Sequence, residues 1–124
     1  MIHLDTGFLI RALSAGSSED RALSAWVAAN QNVGMNAVAW AEFLCGPLTA
    51  SEQRVADGIV GPRIDFTGSD AAVAARLFNE SGRRRGSLPD CMIAAAALGR
   101  RARLATTDEG DFRRFEARGL KLAR

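Results

Sequence analysis

Tyrosine is absent from this 124-residue chain, histidine occurs once, cysteine twice and proline three times. Each shortage closes off a class of protein. Cys45 and Cys91 both fall in apolar stretches, where a free cysteine behaves as a small buried hydrophobe, and two cysteines do not make a disulfide framework. A reduced, cytoplasmic setting is therefore expected. A lone His3, placed in a strand and read as structural, leaves no Cys/His spacing for a zinc site. No apolar run approaches the roughly 18 residues of a membrane span, and Met1 to Asp5 lacks the basic start of a secretory signal, so no membrane association is expected.

Lysine is nearly missing too, with Lys121 the only one, yet the formal net charge is +2 because arginine supplies the rest. The planar guanidinium grips phosphate in a way ammonium does not. A genome rich in alanine and arginine codons accounts for the same bias, and so small a net charge does not by itself mark a nucleic-acid binder.

Short apolar runs alternate with helical patterns from end to end, as in stacked β-α units around a parallel sheet. The expected class is α/β, a three-layer α/β/α sandwich with a mostly parallel central sheet, in a single domain over residues 1–124. A chain of that size buries roughly two thirds of its unfolded surface. Strands are predicted at Ile2–Asp5, Asn32–Met35, Ile64–Phe66, Leu104–Thr107 and Leu120–Leu122. Helices are predicted after Asp5 through about Leu13, from near Ser18, from the Asn36 cap to Gly46-Pro47, over Ser51–Asp57, from Gly68 to about Ser81, around Asp90, and from about Asp108 to Ala117. The predicted caps are Asn36 and the acids of the first turns. Trp26 and Trp40 sit at core spacing.

Two acids are out of place in this pattern. Glu42 is the only acid in Ala37–Cys45 and Asp90 the only one in Leu88–Leu98, both apolar helical stretches of the kind normally buried. Carboxylates are seldom buried without a partner. Asp5 and Asp108 stand where strands give way to helices, the place where open parallel sheets form their sites. Helix capping is a rival explanation for three of the four: aspartate is a favoured N-cap, and Ser87 with Asp90 and Asp108 with Asp111 both read as capping boxes. Glu42 lies too deep in its helix to cap it. If the four converge, repulsion of about 3 kcal/mol for each pair about 5 Å apart, at an effective dielectric near 20, calls for protons or a divalent cation. Oxygen-only ligands favour Mg²⁺ or Mn²⁺.

The segments Ile-His-Leu-Asp5-Thr-Gly, Ala41-Glu42-Phe-Leu-Cys-Gly, Leu-Pro-Asp90-Cys-Met-Ile-Ala-Ala-Ala and Ala105-Thr-Thr-Asp108-Glu-Gly-Asp111-Phe, in this order, resemble PIN-domain ribonucleases, particularly the small VapC-type toxins of toxin-antitoxin pairs. The resemblance covers essentially the whole chain. It implies a single PIN-like domain and a catalytic, metal-binding quartet of Asp5, Glu42, Asp90 and Asp108, with Asp111 as a further acidic position and Thr6 and Thr106 as polar neighbours. It also implies Mg²⁺ or Mn²⁺ as cofactor, RNA as substrate, a cognate antitoxin as partner, and a homodimer, for which the surplus apolar surface of the Trp40 helix offers an interface. Gly7 departs from the family, which usually places a small polar residue there, so a hydrogen bond to Asp5 is expected to be missing. A catalytically weak RNA- or protein-binding module is the alternative that this departure leaves open.

Other motif readings fail on their own terms. Asp5-Thr6-Gly7 spells the aspartic-protease triplet, but that enzyme needs an all-β framework. Gly7 stands where a haloacid dehalogenase needs its second aspartate, and Lys121 is poorly placed for a receiver domain. The Arg83-Arg84-Arg85 loop, with Arg11, Arg113 and Arg114 as extensions, is expected to hold RNA phosphates beside a site that is itself negative. A solvated charge run, or a dock for an acidic partner segment, is the plainer reading of the same residues. With few aromatics for stacking, recognition is expected to rest on RNA shape and exposed single strands.

Overall fold

The computed structural model describes all residues 1–124. Strands β1 (Ile2–Leu4), β2 (Val33–Gly34), β3 (Arg103–Ala105) and β4 (Lys121–Leu122) form one sheet in the order β2-β1-β3-β4, parallel throughout. The order reverses at β1: the chain first crosses to β2 on one side, then returns to lay β3 on the other. All three residues of β1 are fully buried, which requires cover on both faces of the sheet, as parallel sheets have in α/β proteins. The result is the three-layer α/β/α arrangement expected from the sequence.

Seven helices supply that cover: α1 (Thr6–Ala12), α2 (Ser18–Ala28), α3 (Ala37–Leu44), α4 (Ala50–Val60), α5 (Gly68–Glu80), α6 (Leu88–Gly99) and α7 (Glu109–Phe112), the last followed by a 3-10 helix over Arg113–Arg118. Their starts obey local chemistry. Asn36 accepts the amides of Val38 and Ala39 with its side chain, and Thr49 with Glu52 and Thr67 with Asp70 form reciprocal capping boxes. Helix α6 is the central one. Pro89 sits in its first turn, where the missing N–H costs nothing, and Cys91 and Ile93 to Ala97 are fully buried. Four consecutive alanines let neighbours approach the helix closely on every side.

Several boundaries differ from expectation, each for a physical reason. The segment at Ile64–Phe66 makes only an isolated bridge, Asn36 with Ile64, built from the Ile64 amide to the Met35 carbonyl and the Ala37 amide to the Ile64 carbonyl; it goes no further because α3 begins at Ala37. Helix α4 is longer than Ser51–Asp57, running to Val60 because Gly61 (φ 62°) turns the chain out. The helix predicted over Asp108–Ala117 is one turn of α-helix that tightens into the 3-10 helix, where Phe112 and Phe115, three residues apart, are both buried. The strand before it stops at Ala105.

A buried ion pair ties α5 to α6. Asp70, only 4% exposed, receives Arg100 in a fork, Nη1 to Oδ1 and Nη2 to Oδ2 at 3.1 Å each, while Arg100 also donates to the carbonyls of Ala96 and Asp65. Burial alone pushes the Asp70 carboxyl up, but the bonds from Arg100 and the Thr67 amide outweigh it and hold the group below the usual carboxylate range. A Cβ at Gly99 would lie 3.1 Å from Asp70 Oδ1, so the glycine makes room for the pair. His3, fully buried, is pushed down to about 4 by burial and by the charge of Arg100, and so is neutral at pH 7. No helix is long and apolar enough to cross a membrane. Arg100→Met is expected to cost about 3 kcal/mol of stability in urea unfolding at pH 7, since it strands a buried carboxylate. Pairing it with Asp70→Asn should recover most of that loss.

Candidate active site

The carboxyl ends of β1 and β3, neighbours at the point where strand order reverses, carry Asp5 and the run Thr106-Thr107-Asp108. The Asp5 amide donates to the Ala105 carbonyl at 2.9 Å, continuing the ladder one residue past the strand. Asp5 is 6% exposed, and its two oxygens are used separately: Oδ1 accepts the Thr6 amide and Oδ2 the Thr106 hydroxyl, both at 2.8 Å. The capping reading of Asp5 is therefore correct for one oxygen and incomplete. The Thr106 hydroxyl also accepts the Asp108 amide at 3.0 Å, so one threonine sets the position of both aspartates.

The remaining acids arrive from helices. The Thr6 hydroxyl donates to the Ala39 carbonyl at 2.9 Å and lies 3.3 Å from Glu42 Oε1, drawing α3 against the start of α1. Its single proton serves one acceptor at a time. Glu42 itself is exposed. The expectation that α3 is buried all round is thus corrected: only Ala39 and Phe43 are fully inside, while Ala41, Leu44 and Cys45 face outward with Glu42. Cys45, predicted to be a buried hydrophobe, is exposed because the helix ends there. Asp90 is half-buried in the first turn of α6.

Two capping boxes expected from the sequence do not form. Ser87 makes no side-chain cap and donates instead to the Arg84 carbonyl at 2.7 Å, and Asp108 makes no side-chain cap either. Neither Asp90 nor Asp108 is explained by helix termination. Charge links the acids across the gap. Burial raises the carboxyl of Asp5 above its ordinary value against its two hydrogen bonds, and the charges of Glu42 and Asp108 raise it further. Asp90 is raised by burial, then by Asp5, Asp111 and Asp108, with Arg114 as the opposing cation; Glu42 is raised by burial and by Asp90 despite the Thr6 contact. Asp5, Glu42, Asp90 and Asp108 have no ion-pair partner within 4.0 Å, whereas Asp111 lies 3.6 Å from Arg84.

This donor set suits a hard divalent cation: carboxylate and hydroxyl oxygen only, negative, and without a resident counter-ion. No three acidic side chains converge tightly enough to hold an ion as they stand. Gly7 is filled in by a neighbour that sequence reading missed. A Cβ there would meet Thr107 Oγ1 at 2.8 Å; Gly7 offers Asp5 no side-chain donor, and the two Asp5 oxygens are bonded instead by the Thr6 amide and the Thr106 hydroxyl. Only the fold, which sets β3 beside β1, brings Thr107 over Gly7.

The arginines separate into two groups. Arg83, Arg84 and Arg85 are exposed in the loop before α6, with Arg84 reaching the acidic rim through Asp111. Arg11 is exposed but committed to Glu19 at 2.7 Å. Arg113 is exposed, whereas Arg114 turns inward over the Phe115 ring, 4.6 Å from its centroid.

The raised carboxyls carry a sign. Each holds its proton more tightly folded than unfolded, so its ionisation weakens the fold as pH rises from the ordinary carboxylate range through the raised values. Asp90→Asn is expected to raise the metal-free melting temperature at pH 7 by about 2–5 °C, with the gain vanishing near pH 4. Millimolar Mg²⁺ should stabilise the wild type more than the variant. Calorimetric scans at both pH values, with and without the ion, check this.

The chain matches the PIN domain family over residues 2–117. No curated protein matches it in sequence. Among solved structures it is similar to a chain of VapBC2 from Rickettsia felis bound to a DNA fragment from their promoter, with 21% identity, TM-score 0.77 and coverage of 99% of this chain and 98% of that one. It is similar to a chain of VapBC-1 from nontypeable Haemophilus influenzae at 20% identity and TM-score 0.73, covering 99% and 97%. A toxin-antitoxin complex from Klebsiella pneumoniae gives 25% identity and TM-score 0.72 over 90% of both chains. With acids at the reversal of a parallel sheet and a family match over nearly its full length, the chain belongs to the PIN domain family.

Proposed function

We propose that the protein is a metal-dependent endoribonuclease and the toxin of a toxin-antitoxin pair. The observation that supports this reading is that Asp5, Glu42, Asp90 and Asp108 lie near enough at one end of the sheet to be linked through one another's charge, with no cation in ion-pair contact with any of them. Asp5, Glu42, Asp90 and Asp108 would hold Mg²⁺ or Mn²⁺, with Asp111 at the margin. Such an ion, when bound, activates water and neutralises charge on a phosphodiester. The protein's own part is positional. Thr6 and Thr106 lock the Asp5 carboxylate, and Thr106 sets the Asp108 backbone. Asp90 or Glu42, each with a carboxyl raised above its ordinary value, orients the attacking water and accepts its proton. In-line attack leaves a 5′-phosphate on one product.

The exposed Arg83-Arg84-Arg85 loop supports RNA as the substrate, since it offers phosphate contacts beside a negative centre. Arg11, held by Glu19, is a peripheral contact at most. A non-cutting module would be expected to have lost an acid, and all four are present. An antitoxin as partner is supported by the matched chains, which come from toxin-antitoxin complexes. An apolar groove between α2 and α4, lined by Leu23, Val27, Ala28 and Ile59, is surface on which such a partner's helix would seat. Leu44, 44% exposed on α3, supports a homodimer through that face.

Purified protein is expected to cut structured RNA with Mg²⁺ or Mn²⁺ and to stop with EDTA. Asp90→Asn and Glu42→Gln should each slow it at least about a hundredfold, since an ion in such a site supplies several kcal/mol of transition-state stabilisation. Equal cleavage by wild type and both variants would sink the proposal. Light scattering on Leu44→Glu is expected to report a monomer where the wild type is a dimer.

A further inference from the structure

The acidic centre is poor in hydrogen-bond donors. Ionised, Asp5, Glu42, Asp90 and Asp108 offer acceptors only. Two hydroxyls among them have spent their protons. Thr6 donates to the Ala39 carbonyl or to Glu42, and Thr106 donates to Asp5 Oδ2 while accepting the Asp108 amide. Thr107 is the third hydroxyl at these strand ends, and it differs from both. It is exposed, at the bend between Thr106 and Asp108, and its hydroxyl bonds to no group of the chain, unlike that of its neighbour Thr106.

That hydroxyl is nevertheless held in place. A Cβ at Gly7 would lie 2.8 Å from Thr107 Oγ1, closer than real side chains come, so Oγ1 occupies the space that any other residue at position 7 would fill. Nothing in the backbone asks for glycine there. Gly7 is the second residue of α1 and has no positive φ, and glycine weakens a helix relative to alanine. What position 7 gains from glycine is room for the Thr107 hydroxyl. Both partners of this contact adjoin the acids: Gly7 follows Asp5 and Thr6, Thr107 stands between Thr106 and Asp108, and Thr106 is bonded to Asp5 at 2.8 Å.

We propose that Thr107 positions the substrate: its hydroxyl donates to a non-bridging oxygen of the RNA phosphodiester held at the acidic centre, and Gly7 keeps the space that this hydroxyl needs. The proposal rests on the nuclease reading for its ligand and adds two residues to it. A non-bridging phosphate oxygen only accepts, so among carboxylates it bonds to a metal ion or to a free hydroxyl proton. The 2′-hydroxyl of RNA, donor and acceptor alike, is already matched by the carboxylates. An ion supplies charge without direction, whereas an O–H held by close packing supplies direction and turns the phosphate for in-line attack. Thr107 gives up no proton in this role.

The test reads binding apart from cutting. In an Asp90→Asn parent, where cleavage is slow, a fluorescent single-stranded oligoribonucleotide of mixed sequence is titrated at saturating Mg²⁺ and again in EDTA. Thr107→Val keeps the shape and removes the hydroxyl; it is expected to bind about three- to tenfold more weakly in Mg²⁺ and like the parent in EDTA. Thr107→Ser keeps the hydroxyl and should bind within about twofold of the parent. Gly7→Ala should weaken binding as Thr107→Val does, and the two together should bind no worse than Thr107→Val alone, since both remove one contact. Melting temperatures near the parent's separate lost binding from lost fold, and the valine and serine comparison stands by itself if Gly7→Ala unfolds. Mg²⁺ affinity without RNA, read by calorimetry, should be the same in Thr107→Val and the parent. Parental RNA affinity in Thr107→Val overturns the contact, as does a parent with no Mg²⁺-dependent RNA binding. Lowered Mg²⁺ affinity with unchanged RNA affinity also overturns it, placing the hydroxyl on the ion's water shell instead. In the otherwise wild-type protein, RNA cut by Thr107→Val at unchanged kcat/KM rejects the contact and keeps the nuclease reading. Binding that depends on Mg²⁺ and Thr107, to RNA that is never cut, keeps the contact and rejects the nuclease reading.

Discussion

One hydroxyl group holds the site to the fold. The Thr106 side chain donates to Asp5 and accepts from the Asp108 amide, so the loops leaving β1 and β3 are fastened to each other just beyond the last rung of the sheet. A hydroxyl can do both because it is donor and acceptor at once. That bridge opposes the mutual repulsion of two aspartates that the pairing of β1 with β3 already sets at adjacent strand ends. Thr6 plays the matching part on the other side, its amide on Asp5 and its hydroxyl between Ala39 and Glu42. Two threonines thus convert sheet order into a constellation of acids.

The acids themselves are held at a cost that the surrounding structure bears. Burial and mutual charge raise Asp5, Glu42 and Asp90 together. Elsewhere the chain treats a buried acid in the opposite way: Asp70 has a guanidinium fork, a capping box and a glycine cleared beside it, and its carboxyl is lowered. The contrast distinguishes a structural carboxylate from one kept available. Helix α6 serves both. Its alanine-rich body packs into the core, while its first turn carries Asp90 to the site and its end carries Arg100 to Asp70.

Much of this was legible beforehand, and the reasons differ by element. The parallel sheet, the Asn36 cap and the helix over 68–81 follow from local pattern and capping chemistry. Glu42 and Asp90 stood out because an acid in an apolar run breaks the pattern around it. The capping boxes at Ser87 and Asp108 were misleading, since spacing says nothing of where a hydroxyl turns: Ser87 takes the Arg84 carbonyl instead. Helix α3 looked buried because composition does not reveal which face lacks a neighbour. Arg113 and Arg114 were indistinguishable in sequence, yet one is exposed and the other stacks on Phe115.

Sequence alone determined the kinds of elements, their order and the identity of the acids, because helix and strand periods, turn residues and unpaired charges are written residue by residue. The tertiary structure decided what those acids meet. Reversal of strand order at β1 places Asp5 beside Thr106, a partner 101 positions away, and sets Thr107 into the space over Gly7. Such partners depend on which strand lies next to which, and that is settled by burial of the whole chain at once rather than by any local run of residues.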